Sequence, residues 1–437
     1  MGANRLRHLQ ERIAVLARSR IAGAAALVLG VLGMGVSALW VVKELAANSA
    51  WPAGTDMEIY LRAAHDYALG RNLYLGDDGD FFRYAYPPLF AGVLALLAAL
   101  LGDAGAAAVW TIASAAALIA AIAWMARRVG VRVPWVWIIF LCGVVFFART
   151  ARADLYHGQV NFALLGLLVA GFAAWRANRG VLASALWAIM ICFKPFLGVV
   201  TLFQLKQGDW RGAARTFVFS GVVFGLSFLP LYQDIVGAFW GWRGTTQHSA
   251  SPEWAVNPLN HSFFGMFLRA FVENEYSQAW MHAPVMVGVG VALVAAIALF
   301  AIVFMPAPKK EEESAIAMLR LGAVLAAIMS IGPLTEGDHL YFVFPGVAAA
   351  WILTWRRIEA GAQAVGLWLA TSAAWAGVLV LPLYPKRGLL HFMDETTRRF
   401  LEGPGVLLSA WPAIFMLAAA VLTVSALRAE SGVKSGR

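Results

Sequence analysis

Long apolar runs recur along the whole chain, separated by short polar segments that carry most of its charge. The runs are continuously apolar and about as long as a bilayer core is thick, which predicts spanning helices and not the alternating strands of a barrel. The first, Ile21–Val42, follows a basic leader, MGANRLRHLQERIAVLARSR. It exceeds the roughly 7–15 apolar residues of a signal peptide and reads as an uncleaved span. Further runs fall at 86–102, 104–126, 133–148, 158–174, 180–194, 195–205, 212–231, 284–305, 317–332, 340–355, 362–381 and 406–427. The piece at 195–205 is too short to cross alone and predicts, with 180–194, a broken hairpin around Lys194–Pro195. The expectation is an all-α, polytopic integral membrane protein with about twelve transmembrane helices.

Composition agrees. Of 437 residues, 61% are hydrophobic and 14% charged, against about 25% charged in soluble domains. No polar stretch is long enough to fold as a soluble domain by itself. The net charge of +9 comes mainly from short loops beside spans, the positions that fix orientation in a membrane, and it is not a nucleic-acid signature. The N-terminus and the loops at Arg127–Arg132, Arg176–Arg179, Lys206–Arg211, Lys309–Lys310 and Arg356–Arg357 then share the cytoplasmic side with the C-terminal tail. Segments 43–85, 149–157, 232–283, 333–339 and 382–405 face the other way. Two full crossings between Asp56 and Arg127 would break this assignment, so either 86–126 crosses an odd number of times or RRVGVR is an exception. Cys142 and Cys192 fall inside apolar runs and read as buried thiols.

The extracytoplasmic segments hold the unusual polar residues. In TDMEIYLRAAHDY, Thr55 is placed to cap a short amphipathic helix, with Tyr60, Ala63, Ala64 and Tyr67 on one face and Glu58, Arg62, His65 and Asp66 nearer the other. Asp56 opens that helix, where a carboxylate either complements the dipole or waits for a substrate. Arg83 and Tyr86 precede the two prolines that start the next helix. Arg152 and His157 follow in the next segment, and Gln159 and Asn161 sit at the mouth of a span, where helix–helix hydrogen bonding is the alternative to substrate binding. Lys194 either snorkels to the interface or grips a phosphate. The later segments add Arg243, Asn260, Arg269, Asp338 and His339. Asp154 with His157, and Asp338 with His339, lack diagnostic zinc spacing, and no metal is called for.

The order D-x-x-x-Y, G-x-x-L-Y, F-x-Y-x-Y-P-P-L, G-Q-V-N, K-x-x, N-x-S and H-L resembles glycosyltransferase family 87; the matches here are Asp56 and Tyr60, Gly70–Tyr74, Tyr84–Leu89, Gly158–Asn161, Lys194–Pro195, Gly208–Arg211, Asn260–Ser262 with Arg269, and Asp338–Leu340. The resemblance implies the GT-C membrane fold, one membrane domain over 1–437, with the catalytic module at 1–211 and helices of 212–437 completing the cavity. It implies a polyprenyl-phosphate sugar, most readily mannose, as donor and a lipid or glycan as acceptor, with no cofactor. Asp56 maps onto the catalytic base, and His339 onto an active-site histidine. Arg152, Lys194, Arg243 and Arg269 are the candidates for the donor phosphate. Glu58, Tyr60, Arg83, Tyr86, His157, Gln159, Asn161, Asn260 and Asp338 are the candidates for substrate contacts. The expected setting is a prokaryotic plasma membrane, with both termini cytoplasmic, membrane lipids around a monomer, and chemistry on the extracytoplasmic face. A lipid-linked glycan ligase or a lipid or sugar transporter is the alternative.

Overall fold

The computed structural model describes residues 8–12, 15, 19–47, 55–74, 84–128, 134–249, 251–257, 259–274, 279–308, 312–360, 365–379 and 410–435. Arg83 and the segment 382–405 lie outside them. Every element described is helical, and the chain divides into two compact units, 1–205 with 209–246 and 206–208 with 247–437.

The first unit begins with α1 (Arg20–Ala47), the short α2 (Asp56–Ala68) and α3 (Pro88–Arg128). Next come α4 (Trp135–Phe147), α5 (Arg149–His157), α6 (Asn161–Arg176) and α7 (Gly180–Phe193). A 3₁₀ turn (Pro195–Val199), α8 (Val200–Lys206), α9 (Trp210–Phe228) and α10 (Ile235–Ser249) follow. α3 is two helices, because Gly102 breaks it with a φ of 71°. The rings of Phe90 and Trp110 lie 4.8 Å apart, whereas in an unbroken helix twenty residues would separate them by about 30 Å. The helix therefore doubles back. Its first half, 88–101, is about 21 Å long and its second, 103–128, about 39 Å. Only the second is long enough to cross a bilayer, so this stretch supplies one full crossing and a shorter arm packed beside it.

Contacts between helices fix their directions. Trp110 donates from Nε1 to the Gly158 carbonyl at 3.0 Å, and Trp124 meets Phe172, so the second half of α3 runs parallel to α6. Trp187 of α7 donates to the Leu168 carbonyl and Lys194 to Asn161, so α7 is antiparallel to α6. Ser184 pairs with Gly212 and Cys192 with Ser220, which makes α9 parallel to α7. The expected break at Lys194–Pro195 is present, and Phe203 of the returning arm packs beside Trp175 and Trp187. α1 runs parallel to α4 at backbone contact, where Gly30 and Gly33 meet Ile139 and Gly143; small residues permit such approach in membranes. The charges sort accordingly. Asp56, Arg152, Asp154, His157 and Lys194 gather at one end of this bundle, and Arg127, Arg176, Arg179, Arg211 and Arg215 at the other.

The second unit holds α11 (Pro252–Ala255), α12 (Phe263–Phe271), α13 (Val285–Val303), α14 (Ser314–Ile331), a 3₁₀ segment (Gly337–Val343), α15 (Phe344–Glu359), α16 (Val365–Leu379) and α17 (Trp411–Ser435). α14 is its axis and is buried along most of its length. Gly322 meets the backbone of Gly346, and a side chain at either would collide with Trp375 or that backbone. Arg320 and Glu312 form a buried ion pair at 2.9 Å, and Glu430 receives both Arg357 and the Trp368 indole.

The chain is a multi-pass membrane protein, but the expected count of about twelve spans is not reached. Among the described residues five helices are long and apolar enough to cross, or six if α4 and α5, bent by 74°, are one span. Residues 161–176, 180–193, 195–206 and 365–379 form shorter apolar helices. Their apolar character has another cause: Leu164, Leu165, Leu168, Trp187 and Trp368 are completely buried against neighbouring helices. Interior packing and lipid select the same residue types, so hydropathy overcounts. Both cysteines are free and buried, as expected.

Candidate active site

The polar end of the first unit is built on α2. Met57, Tyr60, Leu61, Ala63 and Ala64 bury one side of this helix, while Glu58, Arg62 and His65 stay exposed. Thr55 is its N-cap in extended backbone but makes no side-chain capping bond; the Glu58 amide bonds the Thr55 carbonyl instead. Asp56, half-buried, is thus held at a helix N-terminus, which favours its charge. Opposite it, α5 ends at Gly158 with φ 68°. Only glycine suits this position, because a Cβ would also strike Met57. The turn presents Gln159 to Asp56.

Gln159 donates from Nε2 to Asp56 Oδ2. Its Oε1 accepts from Tyr86 at 3.1 Å and from Tyr60 at 3.3 Å. Two phenols on Oε1 leave the amide nitrogen facing the carboxylate, so its orientation follows from its partners. The Tyr60 phenol is raised well above its ordinary pKa, first by burial and then by Tyr86 and Asp56, and it remains a donor at neutral pH. Tyr84 braces the ring cluster by donating to the Pro87 carbonyl and accepting from the Ala91 amide.

Tyr86 joins this group to a second one. Lys194 Nζ lies 5.8 Å from its ring centroid, within cation–π range. Lys194 does not snorkel: it is 8% exposed and donates to Asn161 Oδ1 at 2.8 Å. Asn161 in turn donates to Asp154 Oδ1 at 2.7 Å. Asp56, Gln159, Tyr86, Lys194, Asn161 and Asp154 are therefore one connected network. On α5, Arg152 stacks over Trp40 at 5.1 Å, and the His157 ring lies beside Tyr156. Arg243 is exposed on α10, over Trp240.

In the second unit, Asn260 and Arg269 are completely buried. Asn260 donates to the Ala255 and Pro333 carbonyls and accepts from the Ser262 and Thr335 amides. The Arg269 guanidinium donates to the Val256, Asn257 and Asn260 carbonyls. Glu336 and His339 bracket the start of the 3₁₀ segment: the Glu336 amide donates to His339 Nδ1 at 3.2 Å, and the Glu336 side chain caps the His339 amide. With Nδ1 accepting, a neutral His339 carries its proton on Nε2. Ligand atoms of Glu336, Asp338 and His339 lie within 4.8 Å of one another, close enough to hold a cation; the reciprocal capping already accounts for the approach of two of them.

The family model of glycosyltransferase family 87 matches residues 84–333. The chain belongs to that family. It is a membrane glycosyltransferase, which takes a sugar donor and an acceptor. A search of curated proteins found no match. The family 87 match contains Tyr86, Arg152, His157, Gln159, Asn161, Lys194, Arg243, Asn260 and Arg269, and ends short of Asp56, Glu58 and Tyr60 on one side and Asp338 and His339 on the other. Reading the sequence for site residues passed over Asp154 as the acidic end of the Lys194 chain. Its available signal was an Asp seven positions before Asn161, across a glycine turn.

Proposed function

We propose that this family 87 enzyme has the GT-C fold and moves a sugar, most readily mannose, from a polyprenyl-phosphate donor to a lipid or glycan hydroxyl on the extracytoplasmic side of a prokaryotic plasma membrane. The basic end of the first unit is assigned to the cytoplasm by the positive-inside rule, which puts Asp56 at the opposite surface. The observation that carries the reading is the Asp56–Gln159–Tyr86–Lys194 network: a half-buried carboxylate oriented by a fixed amide, joined to a withdrawn cation.

In this scheme Asp56 Oδ1 or Oδ2 takes the acceptor hydroxyl's proton as its oxygen attacks the anomeric carbon. The bond from that carbon to the phosphate oxygen breaks, and polyprenyl phosphate leaves as an anion that needs no proton. Lys194, with Arg152 nearby on α5, offsets the charge that develops there. A single displacement inverts the anomeric centre, so a β-linked donor yields an α-linked product. Arg243 and His339 remain candidates for donor contacts, and Glu58, Arg83, His157 and Asp338 for substrate contacts, whereas Arg269 and Asn260, completely buried and bonded to backbone, are assigned to holding their loop.

The test is a transfer assay with the purified protein in lipid, offering polyprenyl-phosphate-linked mannose, glucose, galactose and arabinose in turn. Transfer from one of these with inversion supports the proposal. Turnover only with a nucleotide sugar or a pyrophosphate-linked oligosaccharide would overturn it.

A further inference from the structure

At the basic end of the first unit, away from the Asp56 network, a cavity of about 510 Å³ is lined by Trp175, Arg176, Asn178, Gly180, Val181, Asp209 and Arg215. Three features give it a chemical character. The first is charge. Arg176 and Arg215 line the cavity, and the Arg215 Nε is buried without a hydrogen-bond partner among the described residues. The one acid in the wall, Asp209, is committed elsewhere: it accepts from the Gly212 amide at 2.8 Å and from the Trp175 indole at 3.0 Å. The second is the start of α7. Asn178, with φ 58°, ends α6 in a tight turn, and α7 opens at Gly180 with no side-chain cap and no acidic residue in its first turn. Gly180 and Val181, the first residues of this helix, line the cavity, and an uncapped helix start favours anions. The third is fit. A Cβ on Gly180 would lie 2.6 Å from Arg215 Nη2, so glycine lets the guanidinium lie against the helix start.

Beside the cavity the surface is greasy. Val181, in the cavity wall, is 62% exposed, and Leu182, the next residue of α7, is 46% exposed. A ligand with an anionic head in the cavity and hydrocarbon along these side chains satisfies both surfaces. We propose that this cavity binds a phosphate group, carried by an anionic phospholipid of the leaflet opposite the catalytic end. The phosphate receives Arg215, Arg176 and the first amides of α7, and the acyl chains lie against Val181 and Leu182.

The experiment is native mass spectrometry of the full chain released from micelles doped with phosphatidylglycerol or phosphatidylcholine. Retention of phosphatidylglycerol alone is expected. The double variant R176A/R215A should lose it by about tenfold or more, the scale of losing charge-assisted contacts. Gly180→Ala should weaken it without removing a charge, and Asp56→Asn should leave it unchanged. Displacement by millimolar inorganic phosphate, with no preference for the lipid, would assign the same cavity to a free phosphate and overturn the lipid as its source. Equal retention of both lipids, or undiminished retention in both the double variant and Gly180→Ala with the protein monodisperse, would overturn the site altogether.

Discussion

Lys194 in the first unit and Arg269 in the second are both cations withdrawn from solvent, and their surroundings differ in kind. Arg269 is sealed completely and spends its guanidinium on three backbone carbonyls of one loop. Asn260 uses both donors and its acceptor on the same loop and on Pro333 and Thr335. That is how irregular backbone is held where water does not reach it. Lys194 instead meets side chains, the Asn161 amide and the face of Tyr86, in a network whose far end is the half-buried Asp56 carboxylate. A cation bonded to carbonyls stabilises a conformation. A cation bonded to side chains that also hold a carboxylate keeps charge ready for a ligand.

The largest effect should come from Asp56→Asn. In the proposed mechanism this removes the general base, which costs about 10²–10⁴-fold in turnover, and the folded fraction should not change; full activity in a folded variant would end the distinction between the two networks. Lys194→Ala should follow, with about 10²-fold lost from kcat/KM, because in the proposed mechanism it removes one stabiliser of the leaving phosphate. Arg269→Ala is the counterpart. It should lower stability by about 3 kcal/mol, leaving buried carbonyls unpaired, read as a fall in the thermal midpoint in detergent. If Arg269→Ala instead raises KM for the donor at unchanged stability, the clamp is a binding residue and the contrast with Lys194 is lost.

What the sequence disclosed follows the same line. Membrane character, the break at Lys194–Pro195 and the amphipathic face of α2 depend on local pattern, and they are where the pattern puts them. The span count depends on whether an apolar helix faces lipid or protein, which residues such as Trp187 and Leu168 cannot announce alone. The doubling back at Gly102 was open in the charge count, and only the Phe90–Trp110 contact shows its form. Within the site, polar type marked Gln159 and Tyr86 as noteworthy but not as partners of Asp56. Partnership came from the Gly158 turn, whose effect lies across a long stretch of chain.

Smaller perturbations test that partnership. Gln159→Glu places a second carboxylate against Asp56, and like charges raise one of the two pKa values. The acidic limb of the activity profile should then move to higher pH; a merely structural Gln159 would lower activity without moving the limb. The mildest change is Tyr60→Phe, which removes one donor from Gln159 and should cost about 0.5–1.5 kcal/mol. It carries a pH signature. The Tyr60 phenol is raised in the folded protein by burial first, so unfolding releases its proton more readily once pH exceeds the ordinary tyrosine value of about 10. Stability from this group is complete below that value and falls as pH rises above it. Tyr74 and Tyr84 are raised for the same first reason and act in the same direction. The decline of wild-type stability above pH 10 should therefore be shallower in Tyr60→Phe without vanishing. An unchanged slope would mean that Tyr60 reaches water in the folded protein and does not hold Gln159 against Asp56.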